Sequence, residues 1–295
     1  MRTVFNLFKG ILFLLIGLVP VDAISRSCDT SYLLQGKEHY YKIENAANRK
    51  LMIFLHGGVN NPYFKENQNQ IELAVLLEGN ESFVSMNAKY GLDVLVPITS
   101  DGLNWLDEPE TAFDKIKQMI QSGEKRYEGI YLSGFSDGGT GSYKIFYSNP
   151  DYFDGLIVYN AYPQHKNFYK KVDYSQVKDK PVVFCGTYKY KRIPYEFLLT
   201  EYCGQKKYNP NTFMYLAKGA HQFNRYKASD FQQLLEILNG EVTNTSTDPI
   251  HGFVKNDQLI TFYLFRKKIV RRYNFGKEVY MENLKQRKNY RKDRR

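Results

Sequence analysis

Cysteine, histidine and tryptophan are scarce in this 295-residue chain, which holds three, five and one of them. Three cysteines cannot staple a disulfide-dense scaffold. No two of them have CxxC spacing, and none of the histidines lies three to five residues from another, so the ligand pattern of a structural zinc site is missing. Cys28, Cys185 and Cys203 allow either one bridge and a spare thiol or three buried thiols, with Cys185 and Cys203 the nearest pair in sequence. With 21 glycines and 10 prolines the composition excludes collagen-like and low-complexity classes. Long apolar runs are also rare. An uncharged run over residues 10–19 ends at Pro20 and would make a helix of about 15 Å, half a bilayer core. Behind Arg2 and Lys9 it reads as the apolar stretch of a signal peptide over 1–23, cleaved after Ala23, which predicts a secreted or periplasmic protein. Retained, the same segment would be an N-terminal anchor. Cys28 does not close a lipobox, and no lipoprotein is expected.

What is present is an ordinary globular composition, 43% hydrophobic and 24% charged, with a net charge of +10. The excess is local. Residues 266–295 hold 13 of the 41 basic and 3 of the 31 acidic side chains, leaving 28 of each sign on 1–265. The body is neutral, so the basicity says nothing about what the body binds.

After an expected hairpin (31–34 and 39–43, turning at Gln35-Gly36), six short apolar runs appear, at 51–55, 92–97, 129–132, 156–159, 181–185 and 212–216. Each is near-continuous in Val, Ile, Leu, Phe or Tyr, the pattern of a strand covered on both faces. Segments 110–122, 137–148 and 229–238 have helical character. Alternation of this kind predicts a doubly wound, mostly parallel α/β sheet flanked by helices. Ligands then sit at the carboxyl ends of the strands.

Three of those ends carry chemistry. After the run at 129–132 comes Gly134-Phe135-Ser136-Asp137-Gly138-Gly139. A sharp strand-to-helix turn strains the serine backbone, and only glycine neighbours let the turn close while the hydroxyl projects. The run at 51–55 leads into His56-Gly57-Gly58, small enough for backbone N–H groups to face a developing oxyanion together with the N–H of Asp137. The last strand is followed by Lys218-Gly219-Ala220-His221, where a histidine can lean over the serine as its base.

These turns, each after a strand and in this order, resemble the α/β-hydrolase fold over about residues 32–238, and within it secreted esterases, depolymerase-like hydrolases and prolyl-oligopeptidase-type catalytic domains. The resemblance implies acyl transfer to water, with Ser136 as nucleophile, His221 as general base and then acid, and the N–H groups of Gly58 and Asp137 as oxyanion hole. It implies no metal or organic cofactor. The family's usual Asp, about three residues past a Gly that ends the penultimate strand, is replaced by Lys189 in Cys185-Gly186-Thr187-Tyr188-Lys189. A cation cannot stabilise an imidazolium. Glu196 is the nearest acid downstream and the candidate for the third member. Glu201 is next, Asn160 could orient the imidazole without charge, and Asp173 is remote. A site with no acid is the remaining alternative.

Asn60 after the oxyanion turn, and Asn104-Trp105 beyond the run at 92–97, are the candidate substrate contacts, with Trp105 either an aromatic platform or a packing residue. The polar run 164–179 leaves no apolar insertion that would serve as a lipase lid. The expected substrate is therefore a small-molecule or polymer-linked ester. A peptidase on the same apparatus, or a non-catalytic binding protein motivated by Lys189, are the competing readings. The domain is read as 24–240, followed by a linker and basic tail over 241–295 that would contact an anionic surface or lipid or simply be solvated. It has no recognised nucleic-acid motif, and nucleic acid is not an expected partner. Asn80-Glu81-Ser82 and Asn244-Thr245-Ser246 are glycosylation sequons where the host glycosylates.

Overall fold

A computed structural model describes residues 33–36, 40–58, 81–97, 104–161, 172–187, 195–217, 221–247 and 253–255. The expected signal peptide, Cys28, Asn60, Lys189 and the basic tail lie outside the described residues.

Among the described residues nine strands form one sheet: β1 (Leu33–Gly36), β2 (Tyr40–Glu44), β3 (Lys50–Leu55), β4 (Leu92–Pro97), β5 (Gly129–Phe135), β6 (Gly155–Tyr159), β7 (Val182–Thr187), β8 (Thr212–Ala217) and β9 (Phe253–Lys255). Their order is β1-β2-β4-β3-β5-β6-β7-β8-β9. The antiparallel pairs β1/β2 and β2/β4 close one edge, and the seven strands from β4 to β9 are parallel. Helices α1 (Glu81–Lys89), α2 (Pro109–Gln121), α3 (Asp137–Ser148), α4 (Tyr195–Lys206) and α5 (Ala228–Leu238) connect and follow them.

The near-continuous apolar runs are explained by burial on both faces. In β3, Leu51, Ile53 and Leu55 join one core with Phe113 and Ile116 of α2, Tyr143 and Phe146 of α3, and Leu198 and Tyr202 of α4. Met52 and Phe54 alternate into the other core, with Phe83 and Val84 of α1 and Phe231, Leu234 and Leu235 of α5. The period of two along a strand distributes its side chains between two helical layers.

The order also fixes where a site can form. β3 and β5 are neighbours, but α1, the next described helix after β3, packs on one face and α3, after β5, on the other. A crevice opens where adjacent strands diverge in this way. The strand ends that border it are His56-Gly57-Gly58 and Ser136.

Several expectations need adjustment. Gln35 and Gly36 are not at the hairpin turn; they lie in β1, opposite Lys42 and Tyr41. Helices α1 and α4 were not foreseen. In α4, Glu201, Gln205 and Lys206 are buried beside Leu198, Tyr202 and Cys203, so polar and apolar residues do not segregate to opposite faces and no helical period stands out. β9 falls beyond residue 240, in the segment read as linker and tail, and adds a parallel edge strand to β8 with Met214 opposite Phe253. Cys185 and Cys203 do not pair, because one sits in each core, on opposite faces of the sheet. Among the described residues, no helix is long and apolar enough to cross a membrane.

Candidate active site

The turn between β5 and α3 is tight because its glycines leave no alternative. A Cβ on Gly134 would stand 2.3 Å from the carbonyl oxygen of Gly138, and one on Gly138 would stand 1.9 Å from that of Leu55. Ser136 between them has φ 57° and ψ −117°, a strained conformation that a non-glycine residue keeps only when its surroundings enforce it. The enforcement is visible. The Ser136 N–H donates to the Tyr159 carbonyl at 3.0 Å, and the Thr140 N–H donates to the Ser136 carbonyl at 3.0 Å. The serine is thereby tied to β6 on one side and to the first turn of α3 on the other.

The structure brings Ser136 and His221 together, although 85 residues separate them: Ser136 Oγ lies 2.9 Å from His221 Nε2. In the tautomer that carries its proton on Nδ1, Nε2 accepts the hydroxyl hydrogen, the arrangement proton abstraction requires. The histidine is held from below. Its ring stacks on Phe135, with centroids 4.7 Å apart and planes 31° apart. Two residues on, Phe223 is buried among Phe54, Phe83, Tyr159 and Phe231 at centroid distances of 4.7 to 5.6 Å. Neither phenylalanine was singled out in the sequence; the signal available was an aromatic residue inside the Gly-x-Ser-x-Gly turn and another just past the histidine.

The His56-Gly57-Gly58 turn abuts the elbow. A Cβ on Gly57 would meet Ser136 Cβ at 2.9 Å, so this backbone runs directly against the serine. Gly58 has φ 78°, in the left-handed region that glycine adopts without cost. Asp137 is the first residue of α3, where helix N–H groups have no intrahelical acceptor and the helix dipole favours negative charge. His56 itself is buried, its Nδ1 2.8 Å from the Gly57 carbonyl and its ring edge-on to Trp105.

Trp105 is not a platform at the mouth. Its relative exposure is 0%, and it packs on α3 so closely that a Cβ on Gly141 would come within 2.5 Å of its Cδ1. A ring with no exposed face cannot stack on a ligand. Asn104 beside it closes the local turn, its Oδ1 accepting from the N–H groups of Leu106 and Asp107.

The acid candidates separate. Glu201 is buried on the core face of α4 and accepts from the hydroxyls of Tyr143 and Tyr174, both at 2.7 Å, whereas Phe135 and Phe223 beneath His221 pack into the opposite core. Asp173 caps a short 3-10 turn by accepting from the Ser175 N–H. Asn160, at the end of β6, has φ 44° and accepts from the Thr187 hydroxyl at 3.2 Å, and its buried Nδ2 has no hydrogen-bond partner among the described residues. Glu196 is the second residue of α4; its side chain lies outside the described residues. Burial pushes the Cys185 thiol and the phenols of Tyr159 and Tyr226 well up, with Asp230 adding to each. They stay neutral and serve as core.

Among the described residues no group of three His, Cys, Asp or Glu side chains could hold a metal ion. A groove of about 440 Å³ lined by Glu110, Phe113, Lys117, Tyr147, Asn149 and Asp173 lies against α2 and the far end of α3, away from Ser136.

No family model matches this chain, and no curated protein matches it. Solved structures do. A predicted CIB-like hydrolase from Thermoplasma acidophilum superposes with a TM-score of 0.51 at 18% identity, covering 71% of this chain and 100% of that one. An esterase of Pyrococcus furiosus gives 0.51 at 16%, over 72% and 91%. The acylaminoacyl peptidase of Pyrococcus horikoshii gives 0.51 at 14%, over 84% of this chain and 45% of that one. Sheet order, crevice and superposition agree: the chain has the α/β-hydrolase fold.

Proposed function

We propose that the protein is a serine hydrolase that cleaves a carboxylic ester, the acyl group being small or attached to a polymer, through an acyl-enzyme on Ser136. The observation that carries this reading is the 2.9 Å contact between Ser136 Oγ and His221 Nε2 at a serine held at φ 57°. Strain of this kind persists where geometry is used, and a nucleophile within hydrogen-bond reach of a base is the minimum for covalent acyl transfer.

In the first step Ser136 Oγ attacks the acyl carbon while its proton passes to His221 Nε2. The carbonyl oxygen takes the negative charge, and the N–H groups of Gly58 and Asp137 are the proposed donors that meet it. His221 then gives the proton to the departing alkoxide. Water repeats the sequence on the acyl-enzyme, with His221 again as base, and frees the acid. Glu196 is the proposed carboxylate that stabilises the imidazolium. An exported enzyme with a water-soluble substrate fits the polar run 164–179 and the apolar run 10–19. The basic tail would hold it at an anionic surface.

The test is turnover of a series of p-nitrophenyl esters from acetate to octanoate by the purified chain and by Ser136→Ala. The reading predicts saturable hydrolysis with a preference for short acyl groups, abolished in the variant. A folded wild-type protein no faster than buffer on every ester would contradict it.

A further inference from the structure

We propose that Phe135 is a positioning residue for His221, its ring setting the plane of the imidazole and stabilising the positive charge that develops there. The proposal rests on the serine hydrolase reading above.

The argument starts from distance. His221 follows β8 and Ser136 follows β5, and two strands lie between them. At about 4.8 Å per strand the side chain must act roughly 14 Å from its own strand. A histidine that acts so far from its strand is aligned only if something fixes its ring. Phe135 does so from beneath, its ring plane tilted 31° from the imidazole and its centroid 4.7 Å away. The phenyl ring covers one face of the imidazole and supports the plane in which Nε2 lies 2.9 Å from Ser136 Oγ.

Phe135 is itself held. It is the last residue of β5, so its backbone is part of the parallel ladder, and its ring meets Phe223 at 5.6 Å. Phe223 in turn is anchored by four aromatic rings of the core. The same pair of phenylalanines therefore ties the residue before the nucleophile to the segment after the base. Phe135 is only partly buried, so filling the core is not a sufficient reason for an aromatic residue there. The face of the ring supplies what an aliphatic side chain lacks, because its negative quadrupole attracts a cation within about 6 Å. Transfer of the serine proton to His221 creates that cation.

The experiment compares wild type with Phe135→Tyr, Phe135→Leu and Phe135→Met in rapid-quench labelling by a fluorophosphonate. The Ser136 Oγ–P bond forms as the P–F bond breaks, fluoride leaves and the serine proton goes to His221. Both the saturating rate and the half-saturating concentration are read. Phe135→Leu and Phe135→Met should lower the saturating rate about three- to tenfold, with the half-saturating concentration unchanged. Phe135→Tyr, which keeps the face, should return the rate to within about twofold of wild type. Met fills the space without branching, so it stands in where Leu disturbs folding. A wild-type rate in the folded aliphatic variants, or an equal loss in Phe135→Tyr, overturns the proposal and leaves packing alone. Wild-type protein that is never labelled, with Ser136→Ala as reference, overturns the serine hydrolase reading instead.

Discussion

Replacing Gly138 by alanine is expected to separate the two turns that form the site. The added Cβ would stand 1.9 Å from the Leu55 carbonyl oxygen, 2.4 Å from its carbon and 2.5 Å from the His56 oxygen. A carbon and an oxygen in contact sit no closer than about 3.3 Å, so a gap of roughly 1.4 Å must open. None of the three atoms belongs to a side chain that could rotate away. Leu55 is fixed opposite Gly134 in the β3/β5 ladder, and His56 is buried. Overpacking by a methyl group costs about 1–3 kcal/mol where side chains can yield, and here only backbone can. The expected loss is about 3 kcal/mol or more, which for a domain of this size lowers the melting temperature by roughly 6–12 °C. Gly204→Ala is the matched control. It lies in α4, and its nearest neighbours are atoms of the Tyr174 side chain, beginning at 3.4 Å, so the helix should gain about 0.5–1 kcal/mol. Urea unfolding and fluorophosphonate labelling of both variants are the assay. Gly138→Ala unfolding within about 0.5 kcal/mol of wild type, with labelling intact, would refute the reasoning.

Other consequences follow from single contacts. Glu201→Gln should leave ester turnover unchanged but lower stability by about 1–3 kcal/mol, because Tyr143 and Tyr174 lose a charged acceptor; a collapse of turnover in the folded variant would instead make Glu201 part of the machinery. Asn160→Ala should cost about 1–2 kcal/mol more than Asn160→Gly, since φ is 44° there; equal urea midpoints would refute the strain. Stability should fall in alkali. Cys185, Tyr143, Tyr147, Tyr159 and Tyr226 all have raised pKa values, with burial the largest cause. Their stabilisation is complete below the unfolded-state values and is lost as pH rises through about 9 for the thiol and 10 for the phenols toward the folded values, because the unfolded chain then binds fewer protons. Urea midpoints from pH 7 to 11 should stay level and then drop, with Cys185→Ser delaying the onset. A level profile to pH 11 would contradict the burial of these groups in neutral form.

What could be read from the sequence was what burial and close approach dictate locally. The six parallel strands from β3 to β8 were legible because two-sided burial leaves continuous apolar runs. The elbow was legible because only glycine survives at Gly134 and Gly138. Residues 229–238 read as a helix because Phe231, Leu234, Leu235 and Leu238 share one buried face. Helix α4 escaped because its buried side chains include Glu201, Gln205 and Lys206, whose interactions are tertiary. β9 escaped because three residues pairing with β8 carry no pattern. Trp105 follows a strand that ends at the crevice edge, but adjacency in sequence does not say which way a ring turns, and this one turns into the core. The stacking of His221 on Phe135 joins residues that follow strands with two others between them, a distance no local pattern encodes.

The central claim is that His221 activates Ser136. The most direct measurement is peptide-mapping mass spectrometry of the chain after fluorophosphonate treatment, for wild type, Ser136→Ala and His221→Ala. The account predicts a single adduct on Ser136 in the wild type, none in Ser136→Ala, and labelling slowed by orders of magnitude in His221→Ala. An adduct on another residue, equal labelling without His221, or no adduct on the folded wild type would contradict it.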